Sequence, residues 1–200
     1  MNQSAKVIKR NIRQSIRQQR QSISIKESAQ AAESLCKNLV NLDAYQSSPT
    51  IASYLTFDGE IGTQLINQQI QKDKKVCFLP KLKPWPPNRL WFMPYTPNAP
   101  LNKNRYGIPE VDLPVDQAIR PSQLDIILMP LVAFDELGNR LGMGGGFYDA
   151  TLAHLPTMGR KPLCLGLAYE QQKQDILPAE PWDFQIDGVI TEKNVYWFSQ

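Results

Sequence analysis

Between residues 3 and 21 apolar side chains fall at Ile8, Ile12 and Ile16, one every four positions. That spacing predicts an amphipathic helix with a narrow apolar stripe. Lys9, Arg13 and Arg17 repeat one position round, at the expected rim of the docked face. Ser24 followed by Glu27 matches a capping box, which opens a second helix through about Val40. TIASYL (50–55) has the form of a buried strand, and the FDGE turn after it leads into a helix through about Gln71. The runs VCFLP (76–80), LWFMP (90–94) and IILMP (126–130) each end in proline. Proline has no N–H for the ladder, so each is predicted as a central strand that stops there. PLCLGLAY (162–169) and DGVIT (187–191) supply further strands, and VYWF (195–198) an edge strand. Strands alternating with helices predict an α/β fold, a mostly parallel sheet with helices on both faces. Ligands in such sheets sit beyond the strand carboxyl ends, which points to the residues after Leu55, Pro80, Pro94 and Pro130.

Composition narrows the class. A chain of 200 residues with 42% hydrophobic and 20% charged residues fits one globular domain with a substantial core. No apolar run approaches the ~20 residues of a membrane helix, and MNQSAKVIKRNIRQ lacks the apolar core of a secretory signal. Cys36, Cys77 and Cys164 are odd in number and widely spaced, which indicates neither a disulfide framework nor a zinc site. A reducing, cytoplasmic setting is expected, with no membrane or nucleic-acid partner and a monomeric state.

The net charge of +3 is unevenly spread, because residues 1–26 hold seven Lys or Arg and no acid while the remainder is net acidic. A phosphate-binding helix, a mitochondrial presequence, a nucleic-acid-binding helix and a solvated face all have that composition. Seven prolines between Pro80 and Pro100 predict a stiff exposed excursion, whose Trp85 and Trp91 receive no role.

The segment DIILMPLVAFDELGNRLGMGGGFYDATLAHL (125–155) carries the most chemistry. A strand and a turn (Asp135 to Asn139) lead to Arg140, then Gly142, Gly144, Gly145 and Gly146, then a helix from Phe147. Glycines let a ligand approach the backbone and let consecutive N–H groups point into one concavity. The helix that follows adds the positive end of its dipole. Arg140 can fork onto phosphate oxygens and Asp149 can hold magnesium. The motif is neither G-x-x-x-x-G-K-[ST] nor G-x-G-x-x-G, since the sixth position from Gly142 is Phe147. A flexible turn is the competing reading.

GNRLGMGGGFYD (138–149), together with KRNIR (9–13), resembles the 5-formyltetrahydrofolate cyclo-ligase family. ASYLTFDGEIGT (52–63), KKVCFLP (74–80), NRYGIPEV (104–111) and IDGVIT (186–191) follow the same family in order, over nearly the whole chain. The resemblance implies a single domain spanning 1–200, with N-terminal helices (1–41) packed on a three-layer, Rossmann-like α/β body. It further implies ATP- and Mg²⁺-dependent closure of 5-formyltetrahydrofolate to 5,10-methenyltetrahydrofolate. Carried over position by position, it places Lys9, Arg13 and Arg140, Leu141, Gly142, Met143, Gly144, Gly145, Gly146, Phe147 and Tyr148 at ATP. It places Leu55, Glu60 and Tyr106, with Met143 to Phe147, at the folate, and Asp149 and Asp187 at magnesium. Some members carry basic residues where this chain has Met143 and Gly145, and some place Trp where it has Tyr106.

The chemistry implied suits these residue types. A formamide carbonyl is a poor electrophile and its oxygen a poor leaving group; phosphorylating that oxygen corrects both. Phosphoryl transfer asks the protein for positioning and charge neutralisation. N–H groups, cations and carboxylates provide these, while His154, the single histidine, has no evident Ser-His-Asp or Cys-His arrangement. Glu60 suits the paired N–H donors of a pterin, or equally a solvated first-turn carboxylate. Asp187 is by itself also compatible with a turn. Phe57, Tyr106 and Phe147 can stack on a flat ring or simply pack.

Overall fold

The computed structural model describes residues 3–155 and 161–198. The chain runs through α1 (Gln3–Gln21), α2 (Ile25–Val40), α3 (Asp43–Ser47), β1 (Thr50–Ala52), α4 (Gln64–Lys72), β2 (Val76–Leu82) and β3 (Leu90–Tyr95). It continues through β4 (Leu101–Lys103), β5 (Pro109–Val111), β6 (Ile126–Pro130), β7 (Ala133–Phe134), β8 (Arg140–Leu141), α5 (Phe147–Leu152), β9 (Leu163–Leu167), β10 (Gly188–Ile190) and β11 (Val195–Trp197).

Successive strand residues face opposite sides of a sheet, and that alternation divides the core in two. Ile51, Ile126, Leu128, Leu165 and Ile190 pack with Leu35, Leu39, Ile66 and Ile70 of α2 and α4. Ala52, Ile127, Met129, Cys164 and Val189 pack on the other face with Phe134, Leu152 and Leu155. The central sheet has the order β11-β10-β9-β6-β1-β2-β3. Its inner strands are parallel, while β3 and β11 run antiparallel at the two edges. The α/β architecture with a mostly parallel sheet is therefore as the alternation predicts. The second face is covered by α5 and by irregular chain more than by long helices.

Two strand expectations are corrected. β2 does not stop at Pro80 but continues to Leu82, with Pro80 opposite Phe92. LWFMP is not central: β3 is the antiparallel edge. The bond from Lys83 N–H to Arg89 C=O sets the hydrogen-bonded pairs at odd-numbered β2 positions. Pro80 and Pro94 fall at the intervening positions, where this ladder needs no N–H. Because β3 runs backwards, Pro94 lies at the end of the sheet opposite the parallel strands' carboxyl termini and is no part of the ligand end.

α1 docks on a different face from the one its isoleucines predict. Ile16 is buried and Ile12 packs against Ala133, Leu141 and Leu177, but Ile8 is 47% exposed. Lys9 and Arg20 are buried in its place. Carboxylates on the body, Asp183 for Lys9 and Asp58 for Arg20, draw the basic stripe inward. The long aliphatic stems of these side chains then serve as packing surface. The capping box at Ser24 forms as expected, with Glu27 N–H donating to Ser24 Oγ and Ser24 N–H to Glu27 Oε2.

The hairpin β7–β8 delivers the chain to the glycine loop, and Asp135 builds its turn. Fully buried, this carboxylate accepts from the N–H groups of Leu137, Asn139 and Leu177 and from Asn139 Nδ2. Asp135→Ala leaves those donors unpaired and should lower stability by about 3 kcal/mol, read as a fall in the urea midpoint at constant m-value.

Candidate functional site

The glycine loop stands where β8 ends, and its shape is specific to glycine at two positions. Gly144 has φ +103°, which side-chain-bearing residues rarely adopt. A Cβ on Gly145 would come within 2.5 Å of the Phe147 ring. Gly146 then caps α5 in the left-handed region. Among the described residues no protein acceptor takes the N–H groups of Met143, Gly144, Gly145 or Gly146. These amides remain available to an anion. α5 itself is six residues long, so its dipole contributes less than the sequence suggests.

Cations from α1 close over this loop. Arg13 Nε donates to Gly142 C=O at 2.8 Å, and its guanidinium lies 3.7 Å from the position a Cβ would take on Gly144. Burial lowers the Arg13 pKa while Asp183 opposes that shift. Lys9 Nζ pairs with Asp183 at 2.9 Å. Arg140 is buried and turned inward, its Nη2 on Asp149 Oδ1 at 2.6 Å. The same oxygen accepts Phe184 N–H at 3.0 Å. Adjacent residues Asp183 and Phe184 thus tie the N-terminal helix and the loop helix together. Leu141 points into the core, so only its backbone faces the loop, while Met143 is exposed.

A second cluster adjoins the first. Tyr106, on the turn between β4 and β5, meets Phe147 edge-on with ring centroids 5.9 Å apart. Leu55 packs at the rim of the cluster of Leu79, Met93 and Val111. Glu60 closes a four-residue turn, its Oε2 accepting Phe57 N–H at 3.0 Å. Burial pushes the Glu60 pKa up to about 7, against the Phe57 hydrogen bond and Arg20, which pull it down, while Asp58 adds to the rise. The buried hydroxyls of Tyr54 and Tyr148 have no hydrogen-bond partner among the described residues. Both feel the Glu60 charge.

The structure thus brings together Lys9, Arg13, Arg140, the glycine loop and Asp149, and beside them Leu55, Glu60, Tyr106 and Phe147. It does not bring Asp187 into that group. Asp187 lies at the amino end of β10, where its Oδ2 accepts Cys164 N–H and its Oδ1 pairs with Lys161. Among the described residues no cluster of three His, Cys, Asp or Glu side chains forms a metal cage. His154 lies near Arg89, outside both clusters. The sequence reading missed Asp183, Arg20 and Tyr54. Arg20 continues the Lys9, Arg13, Ile16 face of α1 and was legible as such, whereas Asp183 carries no motif. A separate concavity of about 500 Å³ between α2 and α4 holds no constellation of catalytic groups.

A family model described as the 5-formyltetrahydrofolate cyclo-ligase family matches residues 5–192. The chain belongs to this cyclo-ligase family. The 5-formyltetrahydrofolate cyclo-ligase of Haemophilus influenzae is 38% identical over 182 residues, 91% of this chain and 96% of that protein. Its counterpart in Escherichia coli K12 is 36% identical over 181 residues, 90% of this chain and 98% of the relative. The NMR structure of 5,10-methenyltetrahydrofolate synthetase from Aquifex aeolicus superposes with a TM-score of 0.81 at 30% identity, covering 96% of this chain and 94% of that one. As a cyclo-ligase, the protein is an enzyme, a ligase of folate one-carbon metabolism. No helix of the described residues is long and apolar enough to cross a membrane.

The raised Glu60 pKa carries a stability signature. A carboxyl whose folded pKa exceeds its unfolded value supports the fold at low pH and loses that support as pH rises through the folded value. Glu60→Gln should therefore raise the melting temperature by roughly 2–8 °C at pH 8.5 and by under roughly 1 °C at pH 4. A scanning-fluorimetry series across pH checks it, and an equal shift at both ends refutes it.

Proposed function

We propose that the protein converts 5-formyltetrahydrofolate and ATP into 5,10-methenyltetrahydrofolate, ADP and phosphate, with the triphosphate on the glycine loop and the pterin beside Glu60 and Tyr106. The observation that carries this reading is the set of uncommitted N–H groups from Met143 to Gly146, flanked by Arg13 and Lys9 and adjoining the Glu60 cluster. Family membership supports the reaction.

The site's residues divide the work. The loop amides and Arg13 receive the charge of the transferring phosphoryl group, where preorganised donors are most effective. Lys9 adds a second cation, held ready by Asp183. Arg140 acts from beneath, fixing Asp149 and with it the start of α5. Glu60 as carboxylate accepts paired N–H groups of the pterin, which orients the formyl oxygen toward the γ-phosphorus. Tyr106 and Phe147 supply flat apolar walls for the ring.

The bond changes follow. The formyl oxygen attacks the γ-phosphorus and ADP departs with the bridging oxygen. N10 then attacks the activated formyl carbon, loses its proton, and the carbon–oxygen bond breaks to release phosphate. Positioning N10 and the formyl carbon within reach converts ring closure into a step that needs no covalent enzyme intermediate.

Magnesium fits at Asp149. Its Oδ1 serves Arg140 and Phe184, while its Oδ2 has no partner among the described residues. Magnesium commonly takes one or two carboxylates together with substrate phosphates and water. Bound there, the ion would neutralise phosphate charge. Asp187 has both oxygens engaged, so Asp149 is the ligand proposed here.

The direct test follows the absorbance of methenyltetrahydrofolate with 5-formyltetrahydrofolate, ATP and Mg²⁺, omitting each in turn. No product in the complete mixture refutes the reading. Arg13→Ala should raise KM for ATP roughly 10- to 100-fold, the worth of a charge-assisted hydrogen bond to phosphate, with little change in KM for folate. Asp149→Asn should raise the Mg²⁺ concentration needed for half-maximal rate by about tenfold; an unchanged requirement removes Asp149 from the metal site.

A further inference from the structure

The face of α1 that reaches the nucleotide loop continues past it. Arg13 reaches the loop and Lys9 pairs with Asp183, while Arg17 and Arg20, one and two turns beyond Arg13, hold the turn that carries Glu60. Arg20 Nη2 donates to Asp58 C=O at 2.9 Å and reaches Asp58 Oδ2 at 3.4 Å. Arg17 Nε pairs with Asp58 Oδ2 at 2.9 Å, and its Nη2 with Oδ1 at 3.1 Å. The turn needs such restraint, since Asp58 has φ +51° and Gly59 φ +72°. Left-handed backbone at a residue other than glycine persists only where neighbours hold it.

Arg20 differs from Arg17 in its surroundings. Its side chain is 1% exposed, against 48% for Arg17. Its Nε and Nη1 are buried without a hydrogen-bond partner among the described residues, as is the Tyr54 hydroxyl. A guanidinium so placed is committed to the Asp58 turn through Nη2, and its charge acts on Tyr54 and Glu60. The groups facing Glu60 are therefore Arg20 from α1, Asp58 from its own turn, Tyr54 beyond β1 and Tyr148 from α5.

We propose that Arg20 is a positioning residue for the folate subsite: gripping Asp58 from α1, it fixes the Phe57–Glu60 turn and presents Glu60 to the pterin, so that one helix braces both subsites. This rests on the folate placement proposed above. Arg20 makes no contact with the reacting atoms in this role; it acts through Glu60.

Hydrogen exchange and kinetics on the full chain test it together. In the ligand-free protein Arg20→Met should speed exchange of the 57–62 amides at least tenfold and leave the 142–148 amides unchanged. The same variant should raise KM for 5-formyltetrahydrofolate tenfold or more, with KM for ATP within twofold. It should also move the pH at which folate affinity reaches half its alkaline value upward, because a cation near Glu60 has gone. Arg20→Lys should restore part of each effect, and Asp58→Asn, which spares the buried arginine, should reproduce the exchange change. Uniformly faster exchange across the chain, or equal loss in both KM values, would overturn the proposal in favour of a general packing role. Unchanged exchange at 57–62 would overturn it outright. A wild-type protein that binds no reduced folate would instead defeat the underlying functional reading, so the two failures are told apart.

Discussion

Attraction between the basic face of α1 and three acceptors on the body organises this molecule. Asp183 takes Lys9, the Gly142 carbonyl takes Arg13, and Asp58 takes Arg17 and Arg20. Exposed ion pairs such as that of Arg17 contribute little, but Lys9 and Arg20 are buried, and losing either partner's carboxylate would strand a charge. The helix is thereby held with Lys9 and Arg20 inward beside Ile12 and Ile16, and with Ile8 left exposed. Four of the seven basic residues in 1–26 are thus engaged with the body of the fold.

The consequence is a cleft whose walls come from parts of the chain far apart in sequence. The loop after β8 supplies N–H groups, α1 supplies cations, the turn after β1 supplies a carboxylate, and the β4–β5 hairpin reaches across with Tyr106. Each wall is stiffened by a buried polar contact behind it: Asp135 under the β7–β8 turn, Arg140 with Asp149 under the loop helix, Asp58 under the Glu60 turn. In the reaction proposed above, phosphoryl transfer and ring closure demand positioning above all, and a cleft braced in this way suits that demand.

Electrostatics separates the two halves of the cleft. The loop half gathers the Arg13 guanidinium and N–H groups without protein acceptors among the described residues. In the other half burial raises the Glu60 pKa to about 7, so its charge changes near neutral pH. Arg20 counteracts part of that burial penalty, and its placement near Tyr54 and Glu60 makes it the electrostatic counterpart of Arg13 on the same helix.

Local chemistry in the sequence was enough to determine the glycine loop, the capping box at Ser24, the alternation of strands with helices, and the family. These depend on residues close together in the chain, where backbone restriction and side-chain period act directly. Tertiary structure alone decided which way α1 faces, that LWFMP is an antiparallel edge, and that Asp183 pairs with Lys9 and Arg20 with Asp58. Those outcomes depend on partners more than 30 residues away, as in Lys9 with Asp183 and Arg20 with Asp58, and on which strand finds a free edge. It also separated Asp149 from Asp187, two carboxylates that look alike in sequence, because only folding shows that one is held by Arg140 and the Phe184 amide and the other by Lys161 and the Cys164 amide. No local pattern encodes a pairing across the fold, and it is such pairings that aim the charges.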